Sequence, residues 1–193
     1  MPYRKVPLAY GNIYHVCTRS SAGYTIFNSP REFHRIIETL AYYTALPPIG
    51  RFSEICGRNK RSDFRADILK MKREITIELI AYCIMPTHIH LLLSQAGDHS
   101  ISVYLNHVLK SYTRYFNIRH KRLGPLWESR FKSVHVQSDQ QLLHVSRYIH
   151  LNPETAYLVN RPQDWEYSSY GEYIGCVNEN RKICSYSKYI EMA

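Results

Sequence analysis

A chain of 193 residues with 25 Lys and Arg against 16 Asp and Glu carries a formal net charge of +9, long enough for one catalytic domain with its own core. At 45% hydrophobic and 21% charged residues it is too apolar to be disordered, and no stretch reaches the roughly eighteen apolar residues of a membrane span. The segment Met1–Tyr10 has no apolar core of signal-peptide length, and Cys17, Cys56, Cys83, Cys176 and Cys184 form no C-x-x-C pair, so a reduced, cytoplasmic protein without membrane contact is expected.

The first predicted element is a strand over Ile13–Thr18, rich in β-branched and aromatic residues. Ser29-Pro30-Arg31-Glu32 then reads as a capping box with Pro at the first helical position. Phe33, Ile36, Ile37 and Leu40 continue that helix at the right spacing, and Leu46-Pro47-Pro48 stops it. Gly50–Arg73 is basic and weakly patterned, and is read as a loop with a short helix around Phe64, Ile68 and Met71. Ile75–Met85 and His88–Ser94 flank the turn signal Pro86-Thr87 and predict a central β-hairpin.

Further on, Leu105, Val108, Leu109, Tyr112 and Phe116 recur at helical intervals within Ser100–Arg119. Phe131–Gln137 is a further short strand, and Ser138-Asp139-Gln140-Gln141 caps a helix expected to stop near Asn152, before Pro153. This order contains the split βαβ arrangement. It implies an α+β protein built on a ferredoxin-like antiparallel sheet with helices packed on one face. Residues 1–155 form the main domain in this reading, and 156–193 a helical or irregular C-terminal appendage whose aromatics pack back on it or contact a ligand.

The charge is segregated along the chain. Between Arg51 and Lys132 it gathers in two stretches, from which Arg58, Lys60, Arg61, Lys110, Arg114, Arg119, Lys121, Arg122, Arg130 and Lys132 are the candidate phosphate-binding residues. Acids dominate after Ser138. With 17 Tyr in the chain, the balance suits a polyanion with stackable bases.

Two constellations carry chemistry. In His88-Ile89-His90, strand alternation puts both imidazoles on one face, where they can share a metal; taken alone, the same pattern also serves two hydrogen-bonding histidines. On the helix before Pro153, the stripe Leu142, Val145, Ile149 is apolar, while His144, Tyr148 and Asn152 line an adjacent face. A tyrosine there is equally compatible with core packing, and an Asn before a Pro with a helix cap.

Together the motifs resemble the REP-associated tyrosine transposases, within the single-tyrosine HUH transposases. Met85-Pro86-Thr87-His88-Ile89-His90-Leu91-Leu92 is similar to that family's metal-binding strand, in which the Thr87 position is often Asn. Gly124-Pro125-Leu126-Trp127-Glu128-Ser129-Arg130-Phe131 resembles its Gly-x-Leu-Trp-Gln-x-Arg-Phe segment, with Glu128 where Gln is commoner, and Tyr148-Ile149-His150-Leu151-Asn152-Pro153 resembles its nucleophile helix. The resemblance covers about Ile13 to Tyr173 and implies Tyr148 as nucleophile, with His88, His90 and Asn152 as ligands of Mg²⁺ or Mn²⁺. It further implies cleavage and rejoining of single-stranded, hairpin-forming DNA through a 5′-phosphotyrosine, by a monomer or homodimer.

The remaining histidines are unassigned, with His144 and His150 as surface or supporting groups. Two other readings stay open. A non-catalytic nucleic-acid-binding regulator derived from a transposase would keep the basic faces without needing Tyr148, and a small metallohydrolase would use H-x-H to activate water.

Overall fold

The structure, a computed structural model, describes residues 8–45, 48, 50–58, 74–97, 100–128 and 131–190. The four expected strands form: β1 (Ile13–Arg19), β2 (Ile77–Met85), β3 (His88–Gln95) and β4 (Lys132–Val136). They make one sheet in the order β2-β3-β1-β4, with every neighbouring pair antiparallel. The tight hairpin makes β2 and β3 neighbours, while the two long connections bring β1 between β3 and β4. That is the ferredoxin-like order.

The expected helices form as α1 (Pro30–Tyr43), α3 (Ile101–Arg119) and α4 (Asp139–Thr155), and a helix not expected, α2 (Phe52–Arg58), precedes residue 59. The short helix read around Phe64, Ile68 and Met71 lies outside the described residues. At α1, Glu32 reaches back so that its Oε2 accepts from the backbone N–H of Asn28 at 2.7 Å and of Ser29 at 3.1 Å. At α4, Ser138 Oγ accepts from Gln141 N at 3.2 Å.

α4 does not stop before Pro153; it runs through it to Thr155. A proline removes only its own N–H bond and crowds the carbonyl four residues back, so near a helix end the cost falls on one bond. The next turn closes normally, Ala156 N donating to Asn152 O at 2.9 Å.

The helices cover both faces of the sheet rather than one. Ile89, Leu91 and Leu93 of β3 pack with α1 and α3 around Leu40, Leu105 and Phe116. Leu92, with Ala81 and Cys83 of β2, packs on the other side with Leu142 and Ile149 of α4. Side-chain alternation therefore sends His88, His90 and Leu92 to the α4 face. Segment 156–190 folds back along β2, where Ser169 N donates to Tyr82 O at 2.9 Å, Ile84 N to Tyr167 O at 3.0 Å and Ser185 N to Leu79 O at 2.8 Å. An edge strand is thereby paired instead of exposed. Its two short helices are α5 (Tyr170–Tyr173) and α6 (Ser187–Ile190).

Candidate active site and nucleic-acid interface

Cross-strand partners in a sheet share a face, so register decides which side chains meet. His88 stands opposite Arg19, His90 opposite Cys17, and Cys17 in turn opposite Lys132 of β4. Those residues and His15 all lie on the face that α4 crosses. The motif histidines thus stand beside two cations, Arg19 and Lys132, both exposed, of which only Lys132 was expected to meet phosphate.

Tyr148 projects from α4 onto this ground. Its ring lies 5.6 Å from that of His90 at an interplanar angle of 89°, and 5.9 Å from that of His15 at 75°. At 48% exposed it is open to a ligand. Asn152 follows one turn later and turns its amide back on the helix, Nδ2 donating to Tyr148 O at 2.7 Å.

His90 is 5% exposed. Burial first, then the neighbouring His88, His15 and Arg19, drive its pKa down to about 3. The pKa of His88 is lowered by burial and by Arg19, and that of His15 by burial. All three imidazoles are neutral at pH 7, the form that donates a lone pair to a cation.

The donor set fits a divalent metal. A cation about 2.1 Å from an imidazole nitrogen stands about 3.2 Å from the ring centre, so two rings that share it at a tetrahedral angle have centres about 5 Å apart. The ring centres of His88 and His90 are 5.0 Å apart. Their Nδ1 atoms have protein partners, Thr87 Oγ1 for His88 at 3.0 Å and His15 Nε2 for His90 at 3.1 Å. Both Nε2 atoms are left for a ligand. Among the described residues no three of His, Cys, Asp and Glu are grouped to hold a metal, so two imidazoles need an amide and outer oxygens to complete a shell.

The other histidines of the helix do not join the site. His144 is exposed, and His150 is buried on the far side of α4, with its Nε2 2.7 Å from Ser169 Oγ and its ring 4.5 Å from Tyr173. The residues missed in sequence were His15 and Arg19. Their alternation with Cys17 along β1 was legible, but their pairing with the H-x-H strand was not.

The candidate phosphate-binding residues divide between two faces. Lys132 lies with Tyr148. Lys110, Arg114 and Arg119 line a cavity of about 690 Å³ between α1, α2 and α3, on the opposite side of the sheet, together with Arg31, Arg35 and Arg51. The Arg35 guanidinium stacks 4.1 Å from the centre of the Phe52 ring. Two cations of this group face acids, Arg119 at 3.6 Å from Glu32 and Arg51 at 3.9 Å from Glu54, which leaves the cavity strongly positive.

Arg122 is held by its own loop, donating to Asn117 Oδ1 at 3.1 Å and Pro125 O at 2.8 Å. Lys121 is exposed in that turn at φ +50°. Arg58 ends α2, and Lys60, Arg61 and Arg130 lie outside the described residues. The Gly124–Glu128 stretch straps the end of β1 to α3: Glu128 N donates to Arg19 O at 3.0 Å, and Trp127 Nε1 to Thr113 Oγ1 at 3.0 Å.

The domain is an α+β sheet with helices packed on it that sets an H-x-H strand against a helical tyrosine, and the comparisons give the family. The family model described as Transposase IS200 like matches residues 37–152, more than half of the chain. The chain belongs to this family of DNA transposases. It is 27% identical over 119 residues, 56% of its length and 68% of the relative's, to a protein of Haemophilus influenzae named for the REP-associated tyrosine transposases. To the REP-associated tyrosine transposase of Escherichia coli it is 25% identical over 122 residues, covering 58% and 71% of the two chains. A solved REP-associated tyrosine transposase, bound to a REP hairpin, shares the fold at a TM-score of 0.64 and 13% identity, with 97% of this chain and 94% of that one covered. Among the described residues no helix is long and apolar enough to cross a membrane.

Proposed function

We propose that this transposase cleaves and rejoins single-stranded, hairpin-forming DNA in the cytoplasm, with Tyr148 as nucleophile and His88, His90 and Asn152 as the protein ligands of Mg²⁺ or Mn²⁺. The observation that carries the reading is the position of Tyr148, exposed on α4 with its ring against that of His90. When bound, the metal would polarise the scissile phosphate and stabilise the charge that develops on it.

The steps of the chain's own residues follow. Tyr148 loses its phenolic proton to solvent and its Oη attacks phosphorus; the new P–Oη bond forms as the bond to the 3′-oxygen breaks. That oxygen takes up a proton and becomes a free 3′-hydroxyl. The phosphate stays on the 5′ side as a phosphotyrosine, and attack by a 3′-hydroxyl reverses the step, so joining consumes no nucleotide. Arg19 and Lys132, on the same face, hold the flanking phosphates, and a guanidinium does so through paired donors.

The cavity lined by Lys110, Arg114 and Arg119 takes the DNA outside the cleavage point, with Lys121 and Arg122 at its end of α3; Arg58, Lys60, Arg61 and Arg130 are proposed as further phosphate contacts. Its volume is that of a ligand pocket, and aromatic rings beside cations suit unpaired bases with their phosphates. Residues 156–193 are read as an appendage on a catalytic domain of 1–155.

The test is a denaturing gel of the protein incubated with labelled hairpin DNA and Mn²⁺, followed by mass spectrometry of the adduct. A covalent band whose peptide carries the nucleotide on Tyr148 supports the reading. DNA bound but unmodified favours the non-catalytic regulator, and cleavage without an adduct refutes the tyrosine mechanism.

A further inference from the structure

His15 belongs to none of the motifs and lies upstream of residues 37–152, over which the family model matches. On β1 it stands opposite Leu92 and Val134, on the face whose packed layer includes Leu92, Val136, Leu142 and Ile149. A valine or leucine would suit such a place, and an imidazole there loses hydration that one good hydrogen bond must offset. The bond it makes is to His90, Nε2 to Nδ1 at 3.1 Å, with the two rings edge to edge and near coplanar, their centres 5.3 Å apart and their planes at 21°. The same ring meets that of Tyr148 edge-on.

We propose that His15 is a positioning residue of the active site, fixing the tautomer of His90 and the placement of Tyr148 through these two contacts. The inference rests on the reading of His88 and His90 as metal ligands. Between two neutral imidazoles a single proton lies on the shared line, so one ring donates and the other accepts. If His15 donated, His90 would carry its own proton on Nε2 and point it at the place a cation must occupy. With His90 donating from Nδ1, its Nε2 lone pair is free, and His15 carries its proton on Nδ1.

Thr87 stands at the matching place, its Oγ1 3.0 Å from His88 Nδ1, and accepts in the tautomer that leaves His88 Nε2 bare. Neutral groups thus back both rings, in the place where other metal sites use a carboxylate or a backbone carbonyl. Because His15 also touches Tyr148, a change at this position moves ligand and nucleophile together.

The experiment has two arms on the full chain. Long-range ¹⁵N–¹H NMR of the metal-free wild-type protein reads which ring nitrogens carry protons. The expected result is protonated Nδ1 and bare Nε2 on both His90 and His15; a proton on Nε2 of either ring overturns the proposal. Calorimetric titration with Mn²⁺ alone then compares wild type, His15→Phe and His15→Gln.

His15→Phe keeps a ring against Tyr148 without the acceptor, and weakens Mn²⁺ binding by about 10- to 100-fold. His15→Gln offers an amide oxygen to His90 Nδ1 and recovers most of that loss, which a merely packing role would not show. Equal affinity of His15→Phe and wild type overturns the positioning role while leaving the metal ligands standing. Wild type that binds no Mn²⁺ overturns the metal reading and this inference with it.

Discussion

Tyr148→Phe and Tyr112→Phe remove the same atom and are expected to do opposite things. Tyr148 is 48% exposed and its ring meets His15 and His90 edge-on, contacts that phenylalanine keeps. Its loss should change stability by less than about 0.5 kcal/mol, a shift of about 2 °C or less for a chain of this size. Cleavage, in contrast, loses its nucleophile and should fall at least about a thousandfold, which is about 4 kcal/mol of barrier. Tyr112 is 0% exposed, and its hydroxyl donates to Ile26 O at 2.7 Å. Burial pushes its pKa far up, so it cannot supply a phenolate at neutral pH. Phenylalanine at 112 leaves a buried carbonyl without its donor and should cost about 1–3 kcal/mol, with cleavage intact at temperatures where the protein is folded. Thermal unfolding by circular dichroism and the covalent band on a denaturing gel, measured on both variants, separate the two roles. A Tyr148→Phe protein that still forms the adduct refutes the mechanism. So does one that loses cleavage only in step with an unfolding shift like that of Tyr112→Phe.

Three further outcomes are expected. His90→Ala should lose Mn²⁺ binding in calorimetry and adduct formation, while retention of labelled hairpin DNA in a gel-shift assay stays near wild type, because affinity comes from phosphate contacts elsewhere. Replacing Lys110 and Arg114 together by Ala should flatten the log–log dependence of single-strand affinity on salt by about 1.4, at about 0.7 per lost contact; an unchanged slope moves the DNA to the Arg19 and Lys132 side. For Glu32, 1% exposed, burial alone would raise the pKa, but the Asn28 amide, His120 at 2.6 Å and Ser29 outweigh it and hold the carboxyl below its usual value. A carboxylate depressed in the folded state adds stability above its unfolded pKa and loses it as pH falls through the folded one. Glu32→Gln should therefore destabilise the protein at pH 7, by about 1–3 kcal/mol in urea unfolding, and the gap to wild type should begin to narrow as pH falls below about 4.

Much of the fold was legible because each element carried its own local signal. The capping sequences at Ser29 and Ser138 mark the starts of α1 and α4 to the residue, and Pro86-Thr87 marks the turn between β2 and β3. α2 was missed because it is only seven residues long, and its apolar pair against the core, Phe52 and Ile55, spans less than one helical turn, too little for a period. Cover on both faces of the sheet, where one was expected, is also written in the strands. β2 and β3 are nearly continuous apolar runs, Ile77–Met85 and Ile89–Leu93, without the polar alternation of a half-exposed strand, and such runs call for cover on both faces.

The candidate site was legible in its chemistry and not in its assembly. H-x-H and a tyrosine four residues before an asparagine can be named from spacing, since each lies within one element. His15 and His90 are 75 residues apart, and their meeting depends on which strands pair and in what register, a non-local outcome of packing. The basic stretches fail for a related reason. Residues 110 and 132 belong to one basic stretch along the chain, yet α3 covers one side of the sheet while Lys132, paired with Cys17, faces the other. Charge read along a sequence gives how many phosphates a protein can hold; only the crossing of the sheet tells whether one strand of DNA can reach them all. Here Arg19 and Lys132 share the α4 face with Tyr148 and the larger group is behind the sheet, so DNA that touches both must pass around the edge of the domain. The shorter route is past β4, because the β2 edge is closed by residues 167–185. Lys132 stands at that edge, and Lys132→Ala should weaken cleavage of long substrates more than of short ones; equal loss on both would place the path elsewhere.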